Sequence, residues 1–550
     1  MIGNIDIIIS VFYILGIVTV GLWAGFKKKE VKAGTASNDY FLAGKTLKWP
    51  MIGLALFATN ISCLHLVSLA QSGFDTGLLN GNFEWMAAFT LILLALFFVP
   101  FYLKSNVTTL PDFLERRYNR ACRDWLAVIS ILSAVIIHIA FSFLAGGIVL
   151  KTLFGVNMYV SVIVIALLTG IYTIIGGLRA VVITESIQTV VLLAGAIIIT
   201  VICFQKTGGW SSITQTLQDT NSLDKLSMLR PAGDASGMPW YAVFLGYPVL
   251  GIWYWCADQT IVQRVLGAKD VNHGRVGALF CGLIKLLPVF IFVLPGLMAF
   301  VLAQRGLFDV SSIQHIDATG KTITETKGIY TLMITQLVPT GLVGVLAAAL
   351  LSGLMSQISG ALNSIATLAS YDLYQRFQPY ASDLKLVKVG RISAAIALVA
   401  SIALLPLLNQ YESLFQGIND IIAHIAPPIT TVFVLGIFWK KASAKSAQYT
   451  LWFGSLLGAI VFAVNKLMPE AAISSIPFMM MAFYLCCTCV FMQVVLSYIF
   501  PVEHTKQSAV LYWKSPLEPL RGKAWGGIGN YKFLSVLLIV IMICMYWVFR

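Results

Sequence analysis

Two ionisable residues lie inside stretches of the sequence that are otherwise almost free of charge. Glu84 stands near the start of the apolar run "NFEWMAAFTLILLALFFVPF", and Lys285 interrupts the run "CGLIKLLPVFIFVLPG". A charged side chain at the centre of a bilayer costs roughly 2.5–3.5 kcal/mol on insertion scales, so it must pair, line water or bind a ligand. We expect both residues to share a polar cavity, either as an ion pair that locks two helices or as walls of a site for a neutral, hydroxyl-rich solute.

Polar and aromatic residues in neighbouring apolar stretches indicate what kind of solute such a cavity would bind. Amides and an imidazole can exchange hydrogen bonds with hydroxyl groups, and aromatic rings stack on the apolar C–H faces of a sugar or polyol. Aromatic residues at the end of a span also form the interfacial belt of membrane proteins, and that alternative stays open. The residues in question are Asn60, His65, Trp253, Tyr254, Trp255 and Gln259.

A third stretch, "ALLSGLMSQISGALNSIATLASYDLY", is rich in small and hydroxylated residues. Serine hydroxyls and the carbonyls of an unwound helix are hard oxygen ligands of the kind that sodium binds. Small residues also let helices pack closely, so a purely structural role is the alternative. The residues concerned are Ser352, Gly353, Ser356, Gln357, Ser359, Asn363 and Ser364.

The elements that must position these residues are membrane helices. Of the 550 residues, 58% are hydrophobic and 11% are charged, whereas soluble globular proteins have about 25% charged residues. A span needs about 20 mostly apolar residues. We predict fourteen spans, at about 5–26, 49–71, 82–103, 125–150, 157–175, 185–205, 238–257, 275–303, 334–359, 391–409, 417–438, 447–467, 477–500 and 531–549.

The formal net charge of +13 follows the membrane topology. If the amino terminus is outside, the basic loops all face the cytoplasm, while 72–82 and 409–413 contain no Lys or Arg, which is the positive-inside pattern. This distribution argues against a nucleic-acid partner, and we predict a multi-pass protein of the cell membrane (inner or plasma membrane), surrounded by lipid. The first span has its basic cluster after it, so we expect a retained anchor. The basic loops are 27–32, 116–123, 263–270, 385–391 and 439–445.

Two spans are interrupted at corresponding places along the chain. The second contains the polar sequence "TNIS", and the seventh contains Gly246, Pro248 and Gly251. Such residues are common in membrane helices, but broken helices five spans apart are typical of the midplane site of transporters with two repeated halves. No linker separates soluble domains, so we predict one transmembrane domain over 1–550, with a repeat core at about 49–438 and peripheral helices at 5–26 and 447–549.

Several stretches together resemble the sodium/solute symporter family, and within it the sodium–glucose cotransporter branch. They are "DYFLAGKTLKW", "FATNISCLH", "FEWMA", "YTIIGGLRAVVITESIQ", "IWYWCADQTIVQRVLGAKD" and "LMSQISGALNSIATLASYDLY", in family order over nearly the whole chain. The resemblance implies an all-α integral membrane protein with a leucine-transporter-type inverted repeat of five plus five helices. It also implies one additional amino-terminal span and three carboxy-terminal ones, which agrees with the count of fourteen.

The resemblance also implies roles for individual residues. Glu84 and Lys285 would hydrogen-bond the sugar, with Asn60 and His65 beside them. Tyr254 would be an aromatic gate on the cytoplasmic side. Trp255 and Gln259 would flank that gate, and Asn419, in "FQGINDI", would read a further hydroxyl. The implied sodium ligands are the carbonyls of Ala58, Ile61 and Gly353, the hydroxyl of Ser356 and the amide oxygen of Gln357.

Three positions depart from the pattern of sugar-transporting members. Asn419 stands where glucose-type relatives have glutamine, so the hydroxyl that it reads can differ. Gln357 replaces a second serine, and its longer side chain must be accommodated at the cation site. Glu185 replaces an aspartate on the intracellular side of the sixth span, which leaves proton coupling open.

We therefore expect a symporter that couples sodium entry to uptake of a sugar or polyol by alternating access, with sodium as the coupling ion and no cofactor. Open alternatives within the family are an acidic sugar, an amino acid, a vitamin or proton coupling. A membrane glycosyltransferase is not favoured, because Asp258 has no evident acidic partner and the cytoplasmic loops contain no Asp-x-Asp motif. Nor do the nine cysteines have zinc-site spacing.

Overall fold

The computed structural model describes residues 3–26, 36–234, 236–316, 322–408, 414–515 and 517–550. The predicted loops 27–32 and 409–413 lie outside these residues. The described chain is nearly all helical, and it contains one short antiparallel ribbon. In that ribbon β1 (Gln314–Ile316) pairs with β2 (Thr322–Thr324), so that Gln314 faces Thr324.

Many consecutive helices are joined by short connections, and the longest connections are 220–239, 305–328 and 500–530. In the first half the helices are α1 Asn4–Phe26, α2 Ala36–Leu42, α3 Trp49–Asn60, α4 Cys63–Thr76, α5 Asn82–Leu93, α6 Val99–Lys104, α7 Leu110–Arg117, α8 Arg120–Ser133, α9 Phe141–Phe154, α10 Met158–Thr207, α11 Trp210–Asp219 and α12 Trp240–Ile252. In the second half they are α13 Gln259–Leu266, α14 Val271–Ile284, α15 Leu294–Gln304, α16 Ile329–Leu337, α17 Leu342–Leu368, α18 Gln375–Phe377, α19 Asp383–Ala403, α20 Leu405–Leu408, α21 Leu414–Phe438, α22 Ala444–Leu467, α23 Phe478–Ile499 and α24 Tyr531–Val548.

π-Helical turns join several of these helices into longer helical segments. A π turn contains one extra residue, which changes the direction of the side chains around it and is frequent at functional sites. Within the described residues these turns are Leu94–Phe98, Ala134–Ala140, Trp253–Ala257, Val289–Val293 and Ala369–Tyr374.

Eleven helical segments of the described chain are long and apolar enough to cross a membrane. The predicted number of fourteen spans stays a prediction. The predicted spans 157–175 and 185–205, for example, lie in one 50-residue helix, α10. This helix bends at Gly177 (φ 61°). The predicted span 334–359 is displaced: its helix, α17, starts at Leu342 after Pro339 and Gly341 (φ 91°) and continues to Leu368. Proline and a left-handed glycine both interrupt a helix at this point.

Exposure of apolar side chains distinguishes peripheral helices from central ones. Helix α17 is almost entirely buried, whereas α1 is apolar on its exposed surface, as expected for a helix in lipid. The large exposed side chains of α1 are Ile5, Ile7, Ile8, Val11, Phe12, Leu15, Trp23 and Phe26.

Two helix breaks lie at the centre of the molecule. The second span separates into α3 and α4 at Ile61 and Ser62, which are extended. The seventh breaks at Asp258 (φ −86°, ψ 122°), between the π turn and α13. The prediction that placed this second break at Gly246, Pro248 and Gly251 was wrong, because these residues lie inside α12. The carboxylate of Asp258 stabilises the break by accepting the Thr260 N–H at 2.6 Å.

Helix α17 packs directly against the break between α3 and α4. A Cβ atom added at Gly353 would lie 2.9 Å from the backbone nitrogen of Cys63 and 3.0 Å from the carbonyl carbon of Ser62. Only glycine therefore permits this approach without a shift of the backbone. The close contact brings the carbonyls and hydroxyls of α17 next to the unwound residues of the second span.

The first helix is attached to the beginning of α17 by one buried carboxylate. Asp6 Oδ1 accepts hydrogen bonds from the backbone N–H groups of Gly341 at 2.8 Å and Gly344 at 2.7 Å, and Oδ2 accepts from Gly3 N at 3.1 Å. We expect Asp6→Ala to lower the thermal unfolding midpoint in detergent by several degrees, since an unsatisfied buried donor costs about 1–3 kcal/mol. Asp6→Asn keeps an acceptor oxygen and should lose less. Equal midpoints for Asp6→Ala and the unmodified protein would contradict this account of the junction.

Candidate functional site

A cavity of about 100 Å³ lies beside the two helix breaks. The cavity combines charged, amide and aromatic groups with aliphatic side chains. Its walls are Asn60, His65, Ser68, Phe83, Glu84, Ile137, His138, Tyr247, Leu250, Gly251, Tyr254, Trp255, Lys285, Gln357, Ile418, Asn419 and Ile422.

The two intramembrane charges form a direct ion pair at the wall of this cavity. Lys285 Nζ donates to Glu84 Oε2 and to the side-chain oxygen of Asn60. Glu84 lies in the first turn of α5, Asn60 is the last residue of α3, and Lys285 follows α14. The pair therefore connects α5 and α14, the contact with Asn60 adds α3, and all three residues line the cavity.

Hydrogen bonds continue from this pair to the seventh span. The Asn60 amide donates to the Tyr254 hydroxyl at 3.1 Å, and Lys285 Nζ lies 5.5 Å from the ring centroid of Trp255, within cation–π distance. A neutral assembly of carboxylate, ammonium and amide groups beside aromatic rings can both donate to and accept from hydroxyl groups. It can do so without requiring a charge on the bound molecule.

His65 is oriented by the backbone at the first helix break. Its Nδ1 lies 3.3 Å from Ser62 N and 3.2 Å from Ser62 Oγ, so this nitrogen is used within the first turn of α4. The imidazole also lines the cavity, as does Asn419 on α21. Both predicted residues therefore lie beside the ion pair.

Two residues named from the sequence as candidates for solute contact, Trp253 and Gln259, are not part of the cavity wall. Gln259 is the first residue of α13, beyond the break at Asp258, and it is fully buried. Its Oε1 accepts the backbone N–H of Leu110 at 2.8 Å, at the start of α7. Gln259 therefore joins α13 to α7, away from the cavity wall.

Four of the predicted cation ligands lie on the two segments that meet at the first break. Ser356 Oγ reaches from α17 to the carbonyl of Ala58 at 2.9 Å and to the carbonyl of Gly353 at 3.0 Å. Ile61 is in the extended residues that follow α3. A hydroxyl and backbone carbonyls at an unwound helix are a suitable ligand set for sodium.

Gln357, the fifth predicted cation ligand, lines the cavity and contacts another helix. Its Oε1 accepts from Ser142 Oγ at 2.8 Å, and its Nε2 lies 3.4 Å from His138 Nδ1. His138 was not among the predicted residues. It stands alone as a polar residue in "AVIIHIAF", and the criterion that selected Lys285 would have selected it too.

Two ion-pair networks involve Arg264 of α13 and Thr109, the residue before α7. Arg264 Nη2 donates to Glu185 Oε1 at 2.5 Å, and the Thr59 hydroxyl donates to the same oxygen at 3.0 Å. In the second network Arg123 Nε donates to Asp372 Oδ1 at 2.6 Å, and Thr109 Oγ1 donates to that oxygen at 2.9 Å. Glu185 is thus paired with an arginine and does not line the cavity.

Comparisons with known proteins agree on one family. The sodium:solute symporter family model matches residues 40–454. The chain is 34% identical to sodium/glucose cotransporter 2 of Rattus norvegicus over 488 residues, which are 84% of this chain and 72% of the relative. It is 34% identical to sodium/mannose cotransporter SLC5A10 of Bos taurus (84% and 79% covered). It is 33% identical to sodium/myo-inositol cotransporter 2 of Oryctolagus cuniculus (85% and 71% covered).

Two solved structures support the fold. A sodium-coupled sialic acid symporter superimposes with a TM-score of 0.75 at 23% identity, covering 92% of this chain and 100% of the other. The nucleobase–cation symporter MHP1 gives 0.52 at 13% identity, covering 88% and 98%. The expected leucine-transporter-type architecture is confirmed by these neighbours. From its sequence and its fold, the chain belongs to the sodium:solute symporter family.

Proposed function

We propose that this protein is a sodium-coupled symporter of a neutral sugar or polyol that works by alternating access. The observation that carries the proposal is the Glu84–Lys285–Asn60–Tyr254 chain of hydrogen bonds at a cavity that also contains Trp255. The names of relatives at 33–34% identity, which refer to glucose, mannose and myo-inositol, support the same class of solute.

Sodium would bind between the break of the second span and α17. Its ligands would be the carbonyls of Ala58, Ile61 and Gly353 and the hydroxyl of Ser356. A bound cation would hold α3 and α17 together in the conformation that completes the solute cavity. Coupling then requires only that sodium and solute both bind this conformation better than the others.

The solute would lie against the ion pair, with its hydroxyls exchanging hydrogen bonds with Glu84, Lys285 and Asn60 and a sugar face against Tyr254 or Trp255. Release would require Tyr254 to separate from Asn60 and the two buried networks at α7 and α13 to open. In this proposal two ion pairs, Glu185–Arg264 and Asp372–Arg123, would stabilise the conformation in which the solute cannot leave on this side.

The contacts of the structure do not favour the family alternatives. An acidic solute would need a cation for its carboxylate, but Lys285 is already paired with Glu84. Proton coupling through Glu185 would require release of a carboxylate that is held by Arg264 and Thr59. We therefore propose sodium as the coupling ion and a solute without net charge.

We also propose the arrangement in the membrane. The chain would be a single transmembrane domain over 1–550 in the plasma membrane, with its amino terminus outside and its basic loops in the cytoplasm. The repeat core would cover about 49–438, and the helices at 5–26 and 447–549 would surround it.

The first test is uptake into proteoliposomes. We expect radiolabelled glucose, galactose or inositol to accumulate above equilibrium under an inward sodium gradient, and not when potassium replaces sodium at the same pH. Comparison of the three solutes ranks the substrates. Uptake that does not depend on sodium, or that appears only with a pH gradient, would contradict the proposed coupling.

The second test separates solute binding from a structural role of the ion pair. In the monodisperse fraction of the purified variant, we expect Glu84→Gln to reduce uptake per molecule at least tenfold, because the main hydroxyl acceptor of the cavity is lost. Glu470→Gln, in an exposed loop, is the matched control and should transport normally.

The double variant Glu84→Gln, Lys285→Gln removes both charges and leaves no unpaired ion. If the pair only holds helices together, this variant should regain both folding and uptake. If the pair binds solute, the variant should fold and still fail to transport.

The third test concerns the cation site. We expect Ser356→Ala to raise the half-saturating sodium concentration about tenfold or more at saturating solute, because one charge-assisted ligand is lost. Sodium dependence of initial uptake rates measures this change. An unchanged sodium constant would place the cation elsewhere.

A further inference from the structure

A second polar group in the cavity is formed by four residues that come from three parts of the chain. His138 Nε2 lies 2.8 Å from Asp258 Oδ2, and His138 Nδ1 lies 3.4 Å from Gln357 Nε2. Gln357 Oε1 in turn accepts from Ser142 Oγ at 2.8 Å. His138 and Gln357 line the cavity, and all four side chains are buried.

The Asp258 carboxylate orients this group. A carboxylate oxygen only accepts, and Asp258 accepts the Thr260 N–H with its other oxygen, so His138 Nε2 donates to Oδ2. The other ring nitrogen, Nδ1, lies 3.4 Å from the Gln357 amide nitrogen. The Ser142 hydroxyl lies 2.8 Å from the Gln357 amide oxygen and 2.8 Å from the His138 carbonyl oxygen, and its one hydrogen can be donated to either of them.

These contacts separate Gln357 from the cation site. Successive residues of an α-helix differ by about 100° in direction, so Ser356 and Gln357 point to different neighbours. The hydroxyl of Ser356 reaches Ala58 at the helix break, whereas the amide of Gln357 reaches Ser142 and His138. The oxygen that would bind a cation is engaged on the solute side of α17.

The Gln357 amide retains hydrogen-bonding capacity toward the cavity. Among the described residues, the NH₂ group, which has two hydrogens, contacts one acceptor, His138. The amide oxygen, which has two lone pairs, contacts one donor, Ser142. The centroid of the His138 ring also lies 5.8 Å from the centroid of the Tyr254 ring. The two side chains are therefore neighbours in the same cavity.

We propose that Gln357, positioned by His138, forms a hydroxyl-binding subsite of the solute cavity and contacts the solute and not the coupling ion. This inference rests on the proposed function. Gln357 donates to a solute hydroxyl oxygen, and His138, Ser142 and Asp258 are positioning residues that hold the amide toward the solute. The subsite lies on α17 and on the π turn Ala134–Ala140, on different helices from the Glu84–Lys285 pair.

The subsite also connects the solute to the seventh span. Asp258 holds the imidazole of His138 and, with its other oxygen, caps the first turn of α13. A solute bound to Gln357 therefore stabilises the same chain of hydrogen bonds that fixes the break next to Tyr254. Loss of the solute contact would weaken the link between α17 and α13.

The experiment compares Gln357→Ala with Ser356→Ala in the full-length protein. The sodium concentration for half-maximal thermal stabilisation is measured without sugar, and KM is measured for glucose and for each of its monodeoxy analogues at saturating sodium. We expect Gln357→Ala to leave the sodium value within about twofold and to raise KM about five- to tenfold, as for one lost hydrogen bond. Ser356→Ala should raise the sodium value.

The monodeoxy series identifies the hydroxyl. One analogue should bind more weakly than glucose to the unmodified protein, and that difference should disappear in Gln357→Ala, since both changes remove the same contact. His138→Ala should remove the same difference. A structural role alone would weaken all analogues equally and would overturn the proposal.

Two further outcomes would also overturn it. A rise of the sodium value in Gln357→Ala that matches Ser356→Ala would make Gln357 a cation ligand, and unchanged KM values would mean that it does not touch solute. If Gln357→Ala does not fold, Ser142→Ala frees the amide and should reduce the same analogue difference. Failure of the proposed function is recognised separately, because the unmodified protein would then show no sodium-driven uptake.

Discussion

The cost of a charge in apolar surroundings is the constraint on which the central arrangement depends. Lys285 and Glu84 are almost completely buried, and breaking such a pair by removing one partner is strongly destabilising. The pair therefore requires α5 and α14 to stay adjacent, and the shared contact with Asn60 brings the end of α3 to the same place. A cavity with groups able to bind hydroxyls results from a contact that the fold must keep in any case.

The two helix breaks leave backbone N–H and C=O groups without their helical hydrogen-bond partners inside a membrane protein. Irregular backbone is tolerated there only where protein or a cavity satisfies it. Ser62 and His65 do this at the first break, and Asp258 does it at the second. Because α17 approaches the first break through Gly353, the Ser356 hydroxyl reaches the carbonyl of Ala58, and Asn60 and His65 on either side of the break line the cavity.

Sequence patterns predicted most of what lies near the ion pair, but they failed where a neighbour determined the direction of a side chain. The motif around Tyr254 suggested that Gln259 also faces the solute, yet the break at Asp258 turns Gln259 toward α7. Gly246, Pro248 and Gly251 suggested a break, yet α12 remains helical through them, and a Cβ atom at Gly246 would collide with the carbonyl of Met479. Gly246 therefore permits close packing of α12 against Met479 and does not break the helix.

The sequence by itself determined the family, the membrane helices and the presence of two buried charges, because hydrophobic length, charge and motif order are properties of the chain alone. The tertiary structure decided the contact between Gln357 and His138, which lie 219 residues apart in the sequence. Whether an amide faces an ion or a solute depends on which hydrogen-bond partner stands opposite it. That partner is supplied by packing, and the identity of the next residue in the sequence carries no information about it.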